Sequence, residues 1–125
     1  KAQRIEHALQ QAINLPQTGY YQAGPLTQGL GWELYAYPVT LKTLLEGNST
    51  QMALEPHKAN WFETPQPPQA SSWINKTGST NGFGAYVAYI PAEQIGIVLL
   101  ANKNYPIPSR VKTAYKLLSI VGAGN

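Results

Sequence analysis

The stretch from Phe83 to Ala101 restricts the possible folds of this chain more than any other. Phe83 to Ile90 reads as a strand, Pro91-Ala92-Glu93-Gln94 as a four-residue turn, and Ile95 to Ala101 as a second strand that is almost wholly apolar. Strands joined by so short a turn are antiparallel neighbours. A strand with no polar alternation is expected to be covered on both faces. Just upstream, Ser72 to Thr80 reads as a third strand running into a Gly-rich turn, so the three form an antiparallel meander. Arg110 to Val121 then closes the chain as a helix, with Ser109 as its N-cap. Val111, Ala114, Tyr115, Leu118 and Val121 share one helix face, which is expected to pack on the sheet.

The upstream part is more broken. Lys1 to Asn14 reads as an amphipathic helix with Ala2, Ile5, Leu9, Ala12 and Ile13 on one face. No capping residue precedes it, which fits a helix that starts further upstream, and Leu15-Pro16 ends it. Thr18 to Thr27 contains Gly19, Gly24 and Pro25 and reads as a loop or loose hairpin in which Tyr20 and Tyr21 pack. Gly29 to Tyr35 alternates, with Leu30, Trp32 and Leu34 on one face and Glu33 on the other, as in a half-buried strand. Thr40 caps a short helix through Glu46, with Gly47 at its C′ position. Asn48 to Pro56 is a loop or weak helix, and Glu63 to Ala70, with Pro65, Pro67 and Pro68, an extended surface connection.

Composition removes several classes of function. The 125 residues suffice for one ordinary domain or part of a larger one. Nine basic and six acidic residues give a net charge of +3, but no Lys/Arg block or aromatic–basic alternation marks a nucleic-acid surface. There is no cysteine, hence no disulfide and no thiolate metal site, and the two histidines, His7 and His57, have no ligand-spaced neighbours. We expect neither metal nor cofactor. No apolar run approaches the ~20 residues of a membrane span.

Chemistry concentrates in Asn75-Lys76-Thr77-Gly78-Ser79-Thr80-Asn81-Gly82-Phe83-Gly84. Lys76 offers a cation to an anion, Thr77 a hydroxyl donor, and Gly78 a bare backbone against which a ligand can lie. The N–H of Ser79 can then act as a donor to an oxyanion in acyl transfer. Alternation on an extended strand sends Lys76 and Gly78 one way and Thr77 the other, unless twist or a bulge swings Thr77 round. Alone, the Lys-Thr-Gly tripeptide reads as a strand entering a Gly-rich turn.

Its surroundings carry more information. Trp73 to Pro91 resembles the Lys-Thr-Gly strand and hairpin of class C serine β-lactamases. Ile95-Gly96-Ile97-Val98-Leu99-Leu100-Ala101-Asn102-Lys103-Asn104-Tyr105-Pro106 and Gln28-Gly29-Leu30-Gly31-Trp32-Glu33 resemble that family too, in the same order and spacing. The resemblance covers nearly the whole chain. It implies an α/β (α+β) architecture, residues 1–125 being the C-terminal part of the β-lactamase/penicillin-binding-protein domain: an antiparallel sheet packed by helices that include a C-terminal helix.

The resemblance further implies β-lactam hydrolysis through a serine acyl-enzyme, in a periplasmic enzyme that is monomeric when complete and has a β-lactam as its partner. Lys76, Thr77, Gly78 and Ser79 would be the catalytic stretch. Lys76 would orient a tyrosine–lysine network and attract the substrate carboxylate, Thr77 would hydrogen-bond that carboxylate, and the Ser79 N–H would be one oxyanion donor. Asn104 and Arg110 match positions that help bind the carboxylate. Glu33 matches a glutamate near the active-site cluster, and Thr50 and Leu54 are candidates for the cleft wall. Two departures stand out. The Ser-x-x-Lys nucleophile and Tyr-x-Asn motifs lie upstream of this segment in the family, and Ser109-Arg110-Val111-Lys112 matches the first only formally, on the wrong side of Lys-Thr-Gly. Ile107 stands where many members carry an asparagine. The competing expectations are a DD-peptidase or esterase of the same fold, or a fragment that is not catalytic by itself.

Overall fold

The computed structural model describes residues 2–122. Its centre is a seven-stranded antiparallel sheet: β1 (Gly19–Ala23), β2 (Leu26–Gln28), β3 (Glu33–Ala36), β4 (Ala59–Gln66), β5 (Ser72–Ser79), β6 (Gly84–Ile90) and β7 (Ile95–Ala101). The spatial order is β4-β1-β2-β3-β5-β6-β7. The expected meander is β5-β6-β7, in register from Ser79↔Gly84 through Ile74↔Tyr89 and from Gly84↔Ala101 to Ile90↔Ile95. The turn between β6 and β7 is a short 3-10 turn ending at Gln94, whose φ of 53° lets the chain reverse.

Among the described residues there are four α-helices: α1 (Ala2–Asn14), α2 (Leu41–Gly47), α3 (Thr50–Leu54) and α4 (Ile107–Gly122). Thr40 caps α2 by accepting from the Thr43 N–H at 3.1 Å, as its sequence predicts, and Ser49 caps α3 in the same way. One face of the sheet carries the core. Tyr35, Trp73, Tyr86, Ala88 and Ile90 pack there against Leu44 of α2 and Val111, Ala114 and Leu118 of α4.

Several expectations need correction. The strand predicted from Gly29 starts only at Glu33, because Gly29 to Trp32 closes a turn in which the Gly29 N–H donates to the Trp32 carbonyl at 2.9 Å. The loose hairpin is an ordered pair, β1 and β2. The surface connection from Glu63 overlaps β4, an edge strand on β1; an edge position tolerates Pro65, whose missing N–H would break an inner ladder. α4 begins at Ile107, so Ser109 lies inside its first turn, donating its backbone N–H to the Pro106 carbonyl, and is not an N-cap. Val121 is exposed rather than packed on the sheet.

The apolar strand β7 is covered on one face only. Ile95, Ile97 and Leu99 pack toward the core, while Val98 and Leu100 are 61% and 78% exposed. α2 and α4 occupy one side of the sheet, and no described element covers the far side at these residues. The apolar stripe of α1 is likewise uncovered, with Ile5, Leu9 and Ile13 exposed.

Candidate active site

The site forms where β3 stops pairing with β5. The β3–β5 ladder runs from Ala36↔Ser72 to Glu33↔Asn75 and ends there. Beyond Asn75, one edge of β5 is left unpaired along Lys76, Thr77, Gly78 and Ser79, although β6 still pairs the other edge. A cleft of about 560 Å³ opens against this edge.

Lys76 and Thr77 both line that cleft, for different reasons. Thr77 is opposite Tyr86, so it points to the core face. Lys76 is opposite Val87 and starts out on the far face, but its side chain wraps over the free edge and its Nζ reaches Glu33 Oε1 at 2.6 Å. It is therefore the long lysine that swings round, not the threonine. The glutamate side chain is largely shielded and the lysine half exposed.

Glu33 is held from behind by a buried chain of polar groups. Asn75, fully buried, donates Nδ2 to Glu33 Oε2 at 2.8 Å and to Asn48 Oδ1 at 3.3 Å. Asn48, the C-cap of α2, donates back to Asn75 Oδ1, to the Tyr35 hydroxyl at 3.3 Å and to the Leu44 carbonyl at 2.9 Å. Gly47, expected beyond the helix as its C′ residue, is its last residue. A Cβ there would stand 2.0 Å from the Tyr35 hydroxyl, so only glycine lets that hydroxyl in. Burial, reinforced by the Glu33 charge, pushes the Tyr35 hydroxyl far above the usual tyrosine range; Tyr86 is raised chiefly by burial as well. Both stay neutral hydrogen-bonding groups at any ordinary pH.

Gly78 and Ser79 continue the unpaired edge of β5 past the lining residues Lys76 and Thr77. Thr80 donates its N–H to the Phe83 carbonyl at 3.0 Å and accepts from the Phe83 N–H at Oγ1, which turns the Thr80 backbone toward β6. Backbone groups alternate along a strand, so the Ser79 N–H faces the unpaired edge. Arg110 lies behind this segment and Asn104 beside it. Arg110 is fully buried; its Nη1 donates to the Gly78 carbonyl at 2.8 Å and Ser79 Oγ at 2.9 Å, and its Nη2 to Asn104 Oδ1 at 3.0 Å. Asn104 is exposed.

The remaining candidates separate from this cluster. Thr50 and Leu54 do not line the cleft; Ser49, Met52 and Ala53 form that wall, and Leu54 is turned to solvent. Ser109 and Lys112 are exposed on α4 and line no part of the cleft. Ser49 does reach the cleft, but its Oγ is engaged as the α3 cap. Ile107 lines the cleft beside Thr77. Sequence reasoning missed Asn48, Asn75 and the pair Tyr21 and Trp61, whose rings lie 4.6 Å apart at the cleft's outer end. Asn75 was detectable as a polar residue two places from Trp73, on the same strand face as that large apolar residue. The tyrosine–tryptophan pair depends on the β1–β4 pairing, which no local pattern announces.

A lysine–glutamate pair, a hydroxyl and a free backbone donor lie along one sheet edge, a set of donors able to receive an anion. The beta-lactamase family profile matches residues 4–122, and the chain belongs to that family. It is 58% identical to a beta-lactamase of Pseudomonas fluorescens over 93% of this chain and 32% of that protein. Among solved structures, the D-alanine carboxypeptidase AmpC of Burkholderia cenocepacia is 55% identical with a TM-score of 0.87, over 89% of this chain and 32% of that one. A class C beta-lactamase in complex with cefoxitin is 54% identical with a TM-score of 0.87, over 90% and 31%. The chain thus spans about a third of the length of the proteins it matches.

Proposed function

We propose that this chain is the C-terminal portion of a class C serine hydrolase that opens β-lactams, cephalosporins in particular, through an acyl-enzyme. The observation that carries the reading is the placement of Lys76 and Thr77 in the lining of a cleft, on an unpaired strand edge that continues to the Ser79 N–H. In this reading Lys76, steadied by Glu33, draws in the substrate carboxylate and orients the nucleophile's proton network. Thr77 and Asn104 hydrogen-bond the carboxylate, and the Ser79 N–H receives the oxyanion as the acyl bond forms. Gly78 keeps the strand bare, so the ligand lies against backbone.

The nucleophile and its base come from an upstream portion. Among the described residues, no serine in the cleft is both free and paired with a base. The uncovered apolar side chains Val98 and Leu100 on the far sheet face, and Ile5, Leu9 and Ile13 on α1, support the same view: they are surfaces a larger fold would bury. The complete enzyme is expected to work in the periplasm as a monomer, with neither metal nor cofactor.

The test is intact mass of the complete enzyme before and after a slowly turned-over β-lactam, together with cephalosporin hydrolysis. One drug mass gained by the nucleophile-bearing portion is the expected result; no adduct and no hydrolysis would sink the reading. A second reading, a D-alanine carboxypeptidase, is favoured by one observation: a neighbour 55% identical to this chain carries that description. Turnover of an acyl-D-alanyl-D-alanine peptide in preference to a cephalosporin would select it.

A further inference from the structure

We infer that Arg110 is a positioning residue that builds the oxyanion-side strand from behind and orients Asn104, rather than a ligand to the substrate carboxylate. The inference rests on the functional reading above and assigns a role within that site.

An arginine has five N–H donors and no acceptor. Nε donates to the Tyr105 carbonyl at 3.0 Å, and Nη2 to Asn104 Oδ1 at 3.0 Å and again to the Tyr105 carbonyl. Nη1 donates to the Gly78 carbonyl and Ser79 Oγ, with the Ala85 carbonyl at 3.3 Å. The guanidinium is fully buried, so no donor is left for a ligand. Room for it comes from Gly84: a Cβ there would stand 2.6 Å from Nη2 and 2.8 Å from Cζ. One planar group thus ties the end of β5 to β6 and to the loop before α4.

Two consequences reach the cleft. Arg110 holds the Gly78 carbonyl, which shares a peptide group with the Ser79 N–H, and Ser79 Oγ, so it braces the direction of that donor together with the β5–β6 ladder. Asn104 gives its Oδ1 to Arg110, so its Nδ2 is turned outward as a donor suited to a carboxylate. Among the described residues no carboxylate pairs with Arg110. Its charge is compensated only by neutral acceptors, and an anion at the Ser79 N–H sits within its field.

The experiment uses the complete enzyme and two probes, a cephalosporin with its free ring carboxylate and the methyl ester of the same compound. Arg110→Gln is expected to lower kcat by a common factor of roughly 10–100 on both probes, with KM changed little, because a misaimed oxyanion donor slows acyl transfer whatever the substrate's charge. Asn104→Ala is expected to raise KM for the free acid alone. Gly84→Ala retains Arg110 but displaces its guanidinium, and is expected to reproduce the Arg110→Gln pattern even if that variant folds poorly. An Arg110→Gln loss confined to the free acid and expressed in KM overturns the inference. So does unchanged kcat on both probes in Gly84→Ala. Wild-type enzyme that hydrolyses neither probe refutes the functional reading itself, and with it this one.

Discussion

Glu33 Oε1 and Lys76 Nζ lie 2.6 Å apart although their positions on neighbouring strands are one residue out of register and start on opposite faces of the sheet. The contact exists because the β3–β5 ladder stops at Glu33↔Asn75, leaving an edge the lysine can fold over. With the lysine half exposed, the pair contributes little to stability, on the order of 1 kcal/mol or less. Its effect is on geometry. Glu33→Gln is expected to leave the melting temperature nearly unchanged and to lower kcat/KM on a cephalosporin by roughly 10-fold, since a loose Lys76 no longer holds the orientation chemistry requires. Thermal melting and steady-state kinetics on the same preparation check both halves; a large stability loss with normal kinetics would show the pair to be structural.

Asn75 should behave in the opposite way. It is fully buried and joins Glu33 to Asn48. Asn75→Ala removes a side chain whose partners then lose their hydrogen bonds out of reach of water, at a cost of about 2–3 kcal/mol. Asn75→Asp is expected to be worse, because it sets a second carboxylate against Glu33 in a buried place. Denaturant midpoints for the two variants, read against wild type, give the order directly.

The parts of this fold that were legible in the sequence are those set by local pattern. β5, β6, β7 and the turn between the last two follow from short-range signals, as does the α2 cap at Thr40. What escaped depends on tertiary pairing. β4 was hidden by Pro65 within it and Pro67 and Pro68 just beyond it; only its edge position makes Pro65 acceptable. The two-sided cover read into β7 came from composition, which cannot say that one face is left open by the described elements. In the site, Lys-Thr-Gly was visible as a motif, but the sharing of one cleft by Lys76 and Thr77 required a ladder that ends. Arg110 was assigned to carboxylate binding by resemblance; its burial, on which the positioning role inferred for it rests, depends on the space left by Gly84.

The buried tyrosines give a pH dependence of definite sign. Tyr35 and Tyr86 have their hydroxyls raised above the ordinary value of 10.0, chiefly by burial. For an acid raised in the folded state, the contribution to stability is fully present below the unfolded value and declines as pH rises from there toward the folded one. Stability should therefore be insensitive to these groups below about pH 10 and fall above it, as the unfolded chain ionises and the folded chain does not. Tyr86→Phe is expected to flatten that alkaline decline. It also strips the Trp73 indole N–H of its acceptor at 3.2 Å, with a loss of about 1 kcal/mol at neutral pH. Denaturation midpoints across the alkaline range, for both proteins, separate the two effects.

Ile107 is the point at which the cleft departs most visibly from the resemblance. It opens α4 and lines the cleft beside Thr77, half-buried and unable to hydrogen-bond. In the proposed reading, with Arg110's donors engaged elsewhere, Thr77 and Asn104 are the carboxylate contacts on this side. Ile107→Asn adds an amide at the rim of the same cleft. A charged acceptor gains about 1.5–3 kcal/mol from a well-placed hydrogen bond, so KM for cephalosporins with a free ring carboxylate should fall by roughly 10-fold or more while kcat changes little. The exchange should cost some stability, on the order of 1 kcal/mol, because Ile107 is partly buried and packs against the core. Steady-state kinetics on several cephalosporins decide the matter: unchanged KM across the set would mean that the carboxylate does not lie on the Ile107 side of the cleft.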